Sequence, residues 1–130
     1  MVVTNADEEA TSMTDTARTV DPIDLPEPVT SYLAAHRVHD IERAIRTFAP
    51  DAAVTDEGVT HTGRDAIRTW MSRAATEYTY TIELTAVARN GDGRYDLTQH
   101  LEGDFPGGQV DLHFRFTVHD GAIVRLTIEP

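Results

Sequence analysis

Asp56 and Glu57 stand side by side at the end of a short apolar run, Ala52-Ala53-Val54, just ahead of Gly58. A third carboxylate, Asp51, follows Pro50, a pairing that belongs to turn chemistry. Neighbours on a strand point to opposite sides, so Glu57 faces solvent if Asp56 faces a core. An aspartate walled by Phe48, Trp70 and Phe114 would lose hydration, its pKa would rise, and it would become a better base near neutral pH. Asp56 is therefore the carboxylate with a case for proton transfer. The plain alternative is that it closes the Gly58 turn and does nothing else.

The histidines admit fewer roles. His100, Asp111 and His113 fall on one face of a sheet, and two imidazoles with a carboxylate are ligands for zinc or iron. The sequence has no His-x-x-x-His helix and no tight ligand triplet, so these residues read as a polar outer surface through which a homodimer forms, and no metal is expected. His61 is either an acid or base in a cavity or an exposed turn residue. His36, His39 and His119 lie at helix or turn ends and carry no implied chemistry. Ser31 and Ser72 lack a nucleophile elbow, and Gly103 to Gly108 is a hairpin turn with no following helix, so neither a serine triad nor a phosphate loop can be built. No cofactor is expected.

Composition narrows the class further. The chain has 130 residues, enough for one core, and its net charge is -11 with every basic residue an arginine. Such a surface repels nucleic acid and anionic membranes. Cysteine is absent, which removes disulfides, thiolate nucleophiles and cysteine metal sites. A basic, apolar leader and any run of about 18 apolar residues are both missing, so the expectation is a cytoplasmic protein without a membrane span.

Residues 1–25 hold six acids and one arginine and read as a disordered or loosely attached acidic arm. A domain over 26–130 follows. Its first helix starts at Pro26 to Pro28 and aligns Val29, Tyr32, Leu33 and His36 on one face. Asp40 caps a second helix whose stripe is Ile41, Ala44, Ile45 and Phe48, stopped by Pro50. A strand from Ala53 to Asp56 and a turn from Gly58 to Gly63, with room for two extended residues at Thr60 and His61, lead to a third helix over 64–75, with Ile67, Trp70, Met71 and Ala74 on its buried side. The period then changes to two, giving strands over 78–89, 95–105, 109–119 and 122–129, separated by glycine-bearing turns. Helices first and an antiparallel meander last make an α+β order.

If Phe105 stands opposite Gly108, residue 101 faces 112 and 100 faces 113. One face then carries Leu97, Gln99, Leu101, Val110, Leu112, Phe114 and Phe116, and the helices cover it. A slip of two residues would change partners and leave faces unchanged. For the last strand, a tight Asp120-Gly121 turn and a bulged one place Val124, Leu126 and Ile128 on opposite faces.

Several of these segments resemble the nuclear transport factor 2-like superfamily, which includes ketosteroid isomerases and SnoaL-like polyketide cyclases. They are Tyr32-Leu33-Ala34-Ala35, His39-Asp40, Phe48 through Asp56, Gly63-Arg64-Asp65-Ala66-Ile67, His113-Phe114-Arg115-Phe116 and Asp120-Gly121-Ala122-Ile123. The resemblance implies a cone-shaped α+β barrel, three helices on a strongly curved, mainly antiparallel sheet. It implies Tyr32 as an oxyanion donor and Asp56 as a general base. Leu112 stands where the isomerases carry a second, protonated acidic donor, and Phe114 stands near where the cyclases carry an acid or base, so both patterns are incomplete. The functional expectation is a small apolar pocket, formed by Phe48, His61, Trp70, Leu112 and Phe114, that binds a hydrophobic carbonyl compound for an isomerase or cyclase reaction. The competing expectation is a ligand-binding or dimerisation module in which Tyr32 is a core aromatic and no chemistry occurs.

Overall fold

The computed structural model describes residues 18–19, 21 and 24–130, so most of the expected acidic arm lies outside the described residues. Among them are strand β1 (Arg18–Thr19), helices α1 (Glu27–Arg37) and α2 (Ile41–Ile45), strands β2 (Phe48–Asp56) and β3 (Val59–Thr62), helix α3 (Arg64–Glu77), and strands β4 (Tyr80–Gly91), β5 (Arg94–Gly103), β6 (Gln109–His119) and β7 (Ala122–Glu129). The strands form one seven-stranded sheet in the order β1-β4-β5-β6-β7-β2-β3. All pairings are antiparallel except that of β2 with β7.

Helix α1 carries Pro28 in its first turn and buries Val29, Tyr32, Leu33 and Ala35. Asp40 accepts the Arg43 backbone N–H at 3.2 Å and so caps α2. That helix ends at Ile45, earlier than its apolar stripe implies. Thr47 turns its hydroxyl back onto the Ala44 carbonyl at 2.6 Å, and its own carbonyl accepts from Ile123 N at 2.9 Å, which commits the chain to the sheet. Phe48 is thus the first residue of β2 and not the end of a helical stripe, although it reaches the same core. Pro50, expected to stop the helix, lies instead where the β2–β7 register breaks between Phe48 and Ala53, a site that tolerates a residue without an N–H. Arg64, opening α3, spans this break by donating from Nε (3.0 Å) and a terminal nitrogen (2.6 Å) to the Phe48 carbonyl.

The stretch after Asp56 is also more ordered than a turn. Glu57 and Gly58 have φ of 53° and 76°, the pairing that closes a two-residue hairpin, and β3 runs back along β2. Across β5 and β6 the faces fall as their alternation dictates, but the partners slip by two: Leu101 pairs with Val110 and Gln99 with Leu112. The turn is wider than two residues because the Gly108 N–H bonds to the Phe105 carbonyl and the Gly103 N–H to the Gly108 carbonyl. In β7 a tight Asp120-Gly121 turn and a bulge occur together. Val118 pairs with Ile123 and Thr117 with Arg125, so Val124 is the extra residue and Ile123, Leu126 and Ile128 are the buried ones.

The core joins these faces. Tyr32 packs edge-on against Phe48 and Phe116, each at 5.6 Å between centroids, over buried Leu97, Ile123 and Leu126. On the outer face His100 meets Asp111 at 2.6 Å and Glu102 at 2.8 Å, while His113 and Arg115 share Asp96 and Arg115 also pairs with Glu129. The carboxylates beside His100 raise its pKa above the usual value, first through the hydrogen bond to Asp111. Among the described residues no helix is long and apolar enough to cross a membrane.

Candidate functional site

Asp56 ends β2 on the same side as buried Ala52 and Val54, because the residues between point the other way. Its parallel partner is Ile128, whose own antiparallel partner is Phe114, so the carboxylate starts a row that runs across the inner face. Helix α3 brings Trp70 over this end, and the indole Nε1 donates to Asp56 Oδ2 at 3.0 Å. Trp70 is almost fully buried and stacks on His61 of β3, 6.1 Å between centroids. The other carboxylate oxygen, Oδ1, has no hydrogen-bond partner among the described residues.

A cavity of about 650 Å³ opens beside this carboxylate. Asp56, Trp70, Leu112 and Phe114 line it, and so do His36 of α1 and Tyr80 of β4. Phe48 and Tyr32 do not: both are wholly buried in the adjoining core. His61 is likewise outside the lining and touches it through Trp70. The fold therefore gathers Asp56, Trp70, Leu112 and Phe114 around one space and sets Tyr32, Phe48 and His61 in the layer behind it.

Tyr80 and His36 form the cavity's second polar feature. The Tyr80 hydroxyl lies 3.4 Å from His36 Nε2, and the His36 ring stacks on Tyr32 at 5.5 Å and 9° between planes. Burial pushes the His36 imidazole down to about 4, with the nearby positive charges of His39 and Arg37 adding to the effect, so it is neutral near pH 7. Burial also raises the pKa of Tyr80, and the negative charge of Asp56 raises it further. The same causes, with Tyr80 added, raise Tyr32, whose hydroxyl is buried without a hydrogen-bond partner among the described residues. All three phenol and imidazole groups are thus held neutral beside one carboxylate.

Neither His36 nor Tyr80 stands out in the sequence as a chemical group. His36 follows Tyr32 by one helical turn, which places it on the buried stripe, and that was the available signal. Tyr80 is separated from it by 44 residues, and nothing local links the two.

The neutral state of His36 has a measurable consequence. Its folded pKa lies below the unfolded value of 6.5, so the unfolded chain binds the extra proton first and stability falls as pH drops from 6.5 toward 4. His100, shifted the other way, keeps its contribution throughout this window and loses it only at higher pH. Between pH 7 and pH 5 the His36 effect amounts to about 2 kcal/mol. Urea unfolding of wild type and His36→Gln at both pH values is expected to show a smaller loss in the variant, and equal losses would contradict a buried neutral imidazole.

The SnoaL-like domain family matches residues 29–126. Among curated proteins none matches. A candidate polyketide cyclase from Sinorhizobium meliloti is 36% identical, with a TM-score of 0.79, over 85% of this chain and 100% of its own. A Catenulispora acidiphila protein with a ketosteroid isomerase-like fold, in complex with trimethylamine, is 21% identical with a TM-score of 0.70, covering 81% of this chain and 85% of its own. A Mycobacterium tuberculosis protein in complex with estradiol-17β-hemisuccinate is 16% identical with a TM-score of 0.66, over 79% and 90% respectively. At these lower identities the last two establish similarity of fold alone.

Proposed function

The chain belongs to the SnoaL-like domain family, with the nuclear transport factor 2-like cone fold, and from that premise we propose that its cavity binds a hydrophobic carbonyl compound and moves a proton beside the carbonyl. The observation that carries this reading is the Asp56 carboxylate, fixed by Trp70 on one oxygen and open on the other, on the wall of a cavity that also presents the Tyr80 hydroxyl.

The chemistry needs only this chain. Asp56 takes a proton from the carbon next to the carbonyl, and the C–H electron pair moves into the carbonyl to give an enolate. The enolate oxygen accepts a hydrogen bond from Tyr80, whose own oxygen accepts from His36 when the neutral imidazole carries its proton on Nε2. Where the substrate carries a β,γ double bond the enolate is a dienolate, and return of the proton from Asp56 to its γ-carbon moves the double bond into conjugation, completes an isomerisation and restores the carboxylate. Trp70 holds the base in place while an apolar wall of Leu112, Phe114 and Ile128 limits water. Tyr32, implied by family resemblance as the donor, takes a different part in this reading: its ring supports His36, and Tyr80 supplies the accessible hydroxyl. Two copies would pair through the outer sheet face with its His100, Asp96 and Arg115 ion pairs.

Exchange of α-protons of 2-tetralone into D2O, followed by NMR, tests the reaction class. Wild type is expected to accelerate exchange, and Tyr80→Phe to slow it by about 10²-fold, the usual cost of one oxyanion donor. Absence of acceleration with this ketone and with a β,γ-unsaturated steroid ketone would rule out enolisation. A second reading, binding without chemistry, is favoured by Leu112 and Phe114, two apolar residues lining the wall where the family resemblance implies an acidic donor at Leu112 in the isomerases and an acid or base near Phe114 in the cyclases. It predicts ligand binding with no exchange.

A further inference from the structure

The cavity has a charge pattern that its apolar wall does not explain. Besides Asp56, its lining includes Glu57, Glu77 and Glu129 and, among the described residues, no arginine or lysine. Glu129 is paired with Arg115, but Glu57 and Glu77 have no ion-pair or hydrogen-bond partner among the described residues. Helix α3 ends at Glu77 with no basic residue in its last turn, so its unpaired carbonyl dipoles add negative potential at the same mouth. His36, the one imidazole of the lining among the described residues, is neutral and offers no counterweight.

An aromatic ledge stands at this acidic mouth. Tyr78, immediately after α3, is 38% exposed and meets Phe105 edge-to-face with centroids 6.0 Å apart. Both rings line the cavity, next to apolar Leu101 and Val110. Ring faces attract cations, and they do so most strongly where solvent is thin. Carboxylates near an apolar surface likewise discriminate between ligand charges more sharply than the same groups in open water.

We propose that this site selects a ligand with an apolar body and a positively charged amine, the body entering the cone and the amine lying at the mouth between Glu57, Glu77 and the Tyr78–Phe105 ledge. The inference rests on the cavity being a ligand site, as in the proposed function, and specifies the charge of what enters. It assigns the mouth acids to recognition and leaves Asp56, deeper and tied to Trp70, for the reacting part of the ligand. Anionic analogues of the same body are excluded by repulsion from the same groups.

Three dansyl probes separate the possibilities: dansylcadaverine with a free amine, dansyl-6-aminohexanoate with a carboxylate, and neutral dansylamide. Their affinities are measured by fluorescence titration at low and high ionic strength, since exposed charge effects fade with salt. In wild type at low salt the amine is expected to bind at least about tenfold more tightly than the carboxylate, with dansylamide between them. The double variant Glu57→Gln/Glu77→Gln is expected to bring the charged probes to within about threefold while leaving dansylamide unchanged. A matched surface pair, Asp51→Asn/Glu83→Gln, removes the same net charge and is expected to keep the wild-type preference. Dansylamide binding without amine preference would overturn the charge assignment and leave the cavity reading intact. A preference retained in the Glu57/Glu77 variant, or lost equally in the surface pair, would also overturn it. Failure of all three probes to bind would overturn both this inference and the ligand site on which it rests.

Discussion

Asp56→Asn is expected to slow ketone α-proton exchange by about 10³-fold while leaving ketone affinity within about threefold of wild type. The amide has the shape of the carboxylate, and its oxygen can still accept from Trp70 Nε1, now 3.0 Å from Asp56 Oδ2. What it lacks is basicity, since an amide does not take a proton from carbon near neutral pH. Loss of exchange with retained binding therefore isolates proton transfer. Loss of both would place Asp56 in binding, and retention of both would mean that Asp56 is not the base. A thermal melt of each protein guards the comparison, because Asp56 sits at the seam of β2, β7 and α3 and a misfolded variant would imitate the first result.

A large stability effect is expected at Gly93, where alanine should cost about 3 kcal/mol and lower Tm by roughly 10 °C. Two independent requirements meet at this turn between β4 and β5. Its φ of +71° lies in the left-handed region that side chains disfavour, and a Cβ built there would stand 2.4 Å from the Val118 carbonyl oxygen. Backbone cannot yield as a flexible side chain would, because the Gly93 carbonyl itself accepts from Val118 N at 2.7 Å. Gly121 provides the control: its φ is +75°, but nothing lies within 4 Å of an added Cβ. Gly121→Ala should therefore show the conformational cost alone, about 1 kcal/mol. Equal losses in the two variants would mean that the close approach to β6 carries no energy.

Much of this architecture follows from local chemistry. Pro28 in a first turn, Asp40 as a cap and the spacing of Ile67, Trp70 and Met71 specify helices because caps and helical periodicity are properties of adjacent residues. The alternation from Leu97 through Phe116 specifies which sheet face is apolar, and that face is preserved even though the β5–β6 partners slip by two. Period two encodes the side and is indifferent to an even shift, so the actual register waits on the width of the Phe105–Gly108 turn.

Asp56 could be chosen as the carboxylate of interest from the sequence, because an acid ending an apolar run is locally conspicuous. Its environment could not. The indole that holds it arrives from α3, the Ile128 beside it from β7, and the His36–Tyr80 pair across the cavity joins the end of the first helix to the start of β4. Phe48 shows the same limit from the other side: its apolar character fixed its burial, while helix or strand was settled by the bond between Ile123 N and the Thr47 carbonyl. Sequence by itself determined the elements, the buried faces, the acidic charge and the family resemblance. The partners of Asp56, the exclusion of Tyr32 from the cavity and the acidic mouth were decided by tertiary structure, since each depends on closing long loops whose end points no local pattern records.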